Sequence, residues 1–96
     1  MAPKELKVLG LLIEYRNGLY GSELVFHSEG SITRGSVYTL LERLVEKGYV
    51  TEEEVPPTPD LRLTRWRHKI TAQGENAYNA FLREHKLQRV PAFVGT

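Results

Sequence analysis

The sequence predicts a mainly α fold with one β-hairpin, in the order helix, helix, helix, strand, strand, helix. Three observations carry that expectation. The stretch SITRGSVYTLLERLVEKGYV, Ser31 to Val50, sets Val37, Leu40, Leu41, Leu44 and Val45 at i, i+3, i+4, i+7 and i+8, a helical period that stops at Gly48. The segments from Tyr49 to Val55 and from Leu63 to Ile70 read as two strands on either side of Pro56-Pro57-Thr58-Pro59, a run that no sheet interior accepts. Apolar residues at helical spacing stand both before and after this block.

Each element has its own signal. Pro3 suits the first turn of a helix, where its missing N–H costs nothing. Leu6, Val8, Leu9, Leu11, Leu12, Ile13 and Tyr15 follow, an arc wider than one amphipathic stripe, and Asn17-Gly18 ends the helix near Arg16. Leu19-Tyr20-Gly21 is an extended link. Ser22 caps a short second helix with Glu23 in its first turn and Leu24, Val25 and Phe26 as its apolar contacts. That helix runs out near His27-Ser28, and Glu29-Gly30-Ser31 turns the chain. Thr33 caps the third helix, Lys47 lies in its last turn, and Thr71 caps the last helix with Ala77, Tyr78, Phe81, Leu82 and His85 on one side. The tail from Leu87 holds Val90 and Phe93 but also Pro91, so the helix does not continue through it. This order is a winged helix-turn-helix, read as a single domain over residues 1–96, with 72–96 as the C-terminal helix and tail.

Composition limits the function classes. A chain of 96 residues holds one modest core. It has no cysteine, so disulfides and thiolate metal sites are excluded. Its three histidines, His27, His68 and His85, are scattered, and no Gly-rich phosphate loop is present. No enzyme, metal site or cofactor is expected. The apolar run KVLGLLI is too short to span a bilayer and has no cleavage site after it, which predicts a cytoplasmic, nucleoid-associated protein without membrane contact. Net charge is only +1, but it is sorted: Glu52, Glu53, Glu54 and Asp60 form an acidic block, and Arg62, Arg65, Arg67 and Lys69 a basic one directly after it. Two strands pairing by opposite charge is one reading of that pattern; a basic wing is the other.

The third helix has the chemistry of a reader of double-stranded DNA. With its apolar stripe inward, the opposite face carries Gly35, Ser36, Thr39, Glu42, Arg43 and Glu46. Residues near the N-terminus of such a helix reach base edges in a major groove. Thr33, Arg34, Gly35, Ser36, Tyr38, Thr39 and Arg43 are therefore candidate DNA-binding residues. Thr33 and Ser36 offer hydroxyls where the helix dipole favours a phosphate, Gly35 admits close approach, and Tyr38 sits at the stripe's edge with its hydroxyl outward. Arg62, Arg65, Arg67 and Lys69 are candidates on the wing, for phosphates or a minor groove. Strand alternation sends Arg65, Arg67 and Lys69 to one face and Trp66, His68 and Ile70 to the other, so Trp66 is expected as packing beneath the wing.

GSVYTLLERLVEKGYV, a basic hairpin and ITAQGENAYNAF together resemble PadR-like winged-helix transcriptional regulators. The matching positions are Tyr38, Leu41, Leu44, Gly48, Thr71 and Gly74, with Gly18 to Leu24 resembling the entry to the second helix. The resemblance runs from Leu6 to Arg83. It implies a homodimer on a roughly palindromic operator, and repression. PDLRLTR is similar to the wing of MarR-type regulators, the second family in view. The wide apolar arc of the first helix and the apolar residues of the last helix and tail place a dimer interface at Leu6, Leu9, Leu12, Ile13, Tyr78, Phe81, Leu82, Val90 and Phe93. No residue pattern marks an effector pocket. A winged helix used for protein contact or nucleoprotein assembly is the alternative from another class.

Overall fold

The computed structural model describes residues 1–85. Four helices and a small sheet follow in the order α1 (Pro3–Glu14), β1 (Leu19–Tyr20), α2 (Gly21–His27), α3 (Arg34–Glu46), β2 (Val50–Val55), β3 (Arg65–Ile70) and α4 (Ala72–Glu84). The sheet is antiparallel in the order β1-β3-β2. The expected winged helix-turn-helix is therefore present, with one addition. Leu19 and Tyr20 are a third strand, paired opposite His68 and Arg67. Two residues are too few for any periodicity to announce them.

Helix α1 is the centre of the fold. It touches α2, α3, β3 and α4. Val8, Leu9, Leu11, Leu12 and Ile13 are all buried against Leu24, Ile32, Val37, Leu41, Leu44, Tyr78 and Leu82. Leu9 and Leu12, expected at a dimer face, keep no free surface, because helices and sheet surround α1. Tyr78 and Leu82 are likewise buried, while Leu6 and Phe81 are half-buried. Val90 and Phe93 lie outside the described residues. Two tethers fix α1 at its ends. Glu5, buried near the first turn, accepts hydrogen bonds from the Ala2 amide (3.2 Å) and from Lys47 Nζ at the end of α3 (3.2 Å to Oε2). Burial pushes the Glu5 carboxyl up, but Lys47, the Ala2 amide and Arg43 together hold it below its usual value. Arg16 grips Glu75 of α4 with two parallel hydrogen bonds of 3.1 and 2.6 Å.

Most local signals held with small shifts, but Thr33 takes the N-cap place of α3 without a side-chain cap bond, its Oγ1 lying against Ser36 Oγ instead. Helix α2 is capped at Tyr20, not Ser22: Glu23 Oε1 accepts from the Tyr20 amide at 2.8 Å, which draws the helix start forward to Gly21. The turn between α2 and α3 is closed by Ser28, whose buried hydroxyl oxygen accepts from the Ile32 amide (3.0 Å) and whose hydroxyl donates to Val25 O (2.8 Å). Gly48 ends α3 at φ 80°. Thr71 caps α4, accepting from Gly74 N at 3.0 Å while donating to Gly48 O at 2.7 Å, so the exit of α3 and the entry of α4 are one joint. Strand β3 starts at Arg65, two residues later than expected, after a turn in which Thr58 N donates to Leu61 O (2.8 Å).

Candidate nucleic-acid interface

Helix α3 is seated by one stripe. Val37, Leu40, Leu41 and Leu44 are buried in the core. The 3.6-residue period then forces Thr33, Arg34, Gly35, Thr39, Glu42, Arg43 and Glu46 outward, and all are exposed. Thr33 Oγ1 and Ser36 Oγ lie 3.0 Å apart at the helix start, with Ser36 half-buried. Gly35 has open space: a methyl group built there meets nothing nearer than Thr33 Oγ1 at 3.9 Å. Among the described residues no contact requires glycine at that position. Tyr38 is 63% exposed, farther out than the stripe edge implied. The hydroxyl end of its ring packs against Gly21, where an added Cβ would come within 2.9 Å of ring carbons. Gly21 thus seats Tyr38 on the start of α2, a close approach the sequence did not announce.

The wing divides its residues between two faces. His68 and Glu52 line a groove together with Tyr38, Leu41, Glu42, Val45 and Glu46 of α3. Arg65, Arg67 and Lys69 occupy the other face of β3, turned away from that groove, with Arg62 exposed in the tip loop. The structure therefore does not gather the wing cations over α3. It sets two of them, Arg65 and Arg67, on Tyr20: the Arg65 guanidinium carbon is 4.2 Å from the Tyr20 ring centre and that of Arg67 5.5 Å, and Arg67 Nη2 donates to the Tyr20 hydroxyl at 3.2 Å. That hydrogen bond is the main reason the Arg67 pKa is raised, with Glu53 adding to it. Glu53 stands opposite Arg67 in the β2–β3 register and lies 3.8 Å from Arg67 and 3.9 Å from Lys69. The charge sorting along the sequence thus does pair strand with strand, at Glu53, while leaving Arg62 and Arg65 outside any such pair among the described residues.

Trp66 corrects another expectation. It is 47% exposed, and His68 takes the buried place on that face. The apolar core reaches the hairpin only at its base, at Val50 and Ile70; Trp66, opposite Glu54, stands farther toward the tip. Burial pushes the His68 pKa down, against the pull of Glu52, whose Oε2 lies 3.4 Å from Nε2. The roles of Tyr20 and Ser28 escaped the sequence reading. Their partners are distant in the chain or depend on the turn's three-dimensional shape.

The model of the transcriptional regulator PadR-like family matches residues 8–80. The chain belongs to this family. No curated protein matches it in sequence. Among solved structures it is similar to Bacillus subtilis PadR in complex with operator DNA, at TM-score 0.76 and 20% identity over 100% of this chain and 54% of that one. A PadR-like transcription factor of Bacteroides fragilis matches at TM-score 0.71 and 22% identity, over 85% of this chain and 79% of that one. A mutant MarR of E. coli complexed with operator DNA matches at TM-score 0.67 and 23% identity, over 86% of this chain and 54% of that one. The chain spans about half the length of the PadR and MarR proteins seen with DNA. PadR-like regulators are not an enzyme class. Among the described residues no helix is long and apolar enough to cross a membrane.

Proposed function

We propose that this member of the PadR-like family is a sequence-specific regulator of transcription that binds double-stranded DNA. Helix α3 enters the major groove, and the wing, through Arg62, Arg65, Arg67 and Lys69, contacts phosphates or the adjacent minor groove. The observation that carries this reading is the outward face of α3. Thr33, Arg34, Gly35, Thr39 and Arg43 are exposed along a helix whose opposite stripe is locked in the core. Family membership and two neighbours solved with operator DNA support it. A homodimer on a roughly palindromic site, acting as a repressor in the cytoplasm, completes the proposal. Its two α3 helices would be spaced about 34–36 Å apart, one turn of DNA.

A second reading has one observation behind it. Glu42 and Glu46 stand on the exposed face in the C-terminal half of α3, and carboxylates there repel phosphates. That face would instead suit a basic protein partner. Selection of bound fragments from a random DNA pool separates the two. Enrichment of a two-fold symmetric sequence, with affinity falling steeply as salt rises, supports the regulator. No enrichment and no gel shift at low salt would leave the protein-contact reading.

A further inference from the structure

Tyr20 belongs to no element that reads DNA, yet it stands where the wing and the helix-turn-helix meet. Its backbone opens α2, held by the 2.8 Å hydrogen bond from its amide to Glu23. Its side chain leaves the other way. It lies on the wing's basic face, beneath Arg65 at 4.2 Å and Arg67 at 5.5 Å, with its hydroxyl accepting from Arg67 at 3.2 Å. Glu53 serves Arg67 and Lys69 but is in no ion pair with Arg65 among the described residues. For Arg65 the aromatic ring is the contact that the structure records.

We propose that Tyr20 is a positioning residue for DNA binding, an aromatic platform that holds the wing's Arg65 and Arg67 ready for phosphate; this rests on the wing–DNA reading given above. A guanidinium over a ring face spends no N–H donor on the ring, so the contact with Tyr20 leaves the donors of Arg65 available, while Arg67 gives one to the Tyr20 hydroxyl. An ordered side chain also has less rotamer freedom left to lose when it meets its target. Tyr20 acts through the arginines and not through its own contact with DNA.

The test is a mutant cycle read by binding to a short random-sequence duplex across a salt series. Tyr20→Leu should lower affinity about fivefold and flatten the salt slope. Tyr20→Phe keeps the ring and should stay within about twofold of wild type. In an Arg65→Ala, Arg67→Ala background, Tyr20→Leu should cost nothing further. Loss of the same size in both backgrounds overturns the proposal, because Tyr20 would then act without the arginines. If the arginine pair variant binds like wild type at every salt concentration, the wing reading itself falls and the proposal with it. Should Tyr20→Leu fail to fold, Arg65→Lys replaces it: the charge stays but the planar stack is lost, and about threefold weaker binding is expected. Wild-type affinity for Arg65→Lys would mean that only charge matters, and would overturn the platform.

Discussion

Helix α3 and the wing present their polar residues in opposite ways. On α3 the apolar stripe locks the helix from behind, and Thr33, Arg34, Thr39 and Arg43 are left facing solvent. On the wing the cations are held from the side, by the Tyr20 ring and the Glu53 carboxylate, and the core reaches only the hairpin's base. A rigid reader can gain from contacts made in one fixed register, which is what discrimination between bases needs. A laterally braced cation suits sequence-blind attraction to a charged backbone, whose strength tracks salt. The difference teaches that burial of the opposite face, and not the amount of positive charge, marks the part of this fold suited to specificity.

Four measurements break or sharpen that contrast. The largest effect is expected at the joint shared by both regions. Gly74 packs beneath the Tyr49 carbonyl so closely that a methyl group would overlap backbone atoms. Gly74→Ala should destabilise the fold by about 3 kcal/mol through overpacking, seen as a lower midpoint in chemical unfolding. A stability loss under about 1 kcal/mol would mean that the α3–β2–α4 joint yields easily and that the wing is not firmly based. Next comes Arg43→Ala. It should remove about 2 kcal/mol of discrimination between a selected duplex and a random one, measured by paired titrations. Equal loss on both duplexes would assign Arg43 to phosphate and erase the contrast with the wing.

The third measurement follows acid. Burial lowers the His68 pKa from 6.5, so the folded state prefers the neutral ring. The unfolded chain therefore binds more protons between that lowered value and 6.5, and stability is full above 6.5 and declines as pH falls through the window. Thermal midpoints taken across that range should fall for wild type and stay flat for His68→Gln. Glu5 contributes at a lower range: its depressed pKa gives stability that is present above 4.5 and lost on further acidification. The smallest effect concerns Gly35. With open space around it, Gly35→Ala should raise stability by about 0.5–1 kcal/mol, since alanine favours a helix. If the same variant weakens DNA binding, the glycine serves close approach and not folding; unchanged binding would leave it without a role at the interface.

Legibility followed range along the chain. Period 3.6 gave the buried stripe of α3 and the exposed set opposite it, because both depend only on residues a few positions apart. Gly48 and Thr71 were readable for the same reason, each acting within its own turn. The Tyr20–Arg67 contact spans 47 positions and rests on a two-residue strand, so no local pattern encodes it. Trp66 misled because alternation assigns a face but not a depth; which level of the hairpin the core reaches depends on where α3 lies. Leu9 and Leu12 of α1 misled likewise. Circumference read from sequence does not say how many neighbours will cover it, and here four elements do.

The Ser28 hydroxyl that closes the turn between α2 and α3 has a consequence for motion. Turn amides ordinarily trade their hydrogens with solvent quickly, through small local openings. The Ile32 amide cannot do so without releasing a hydroxyl that is itself buried and bonded to Val25. Its exchange should match that of the core helices and require opening of the whole domain. Slow exchange there would mean that the Ser28 bonds hold the two helices of the helix-turn-helix at one angle before the chain meets any target.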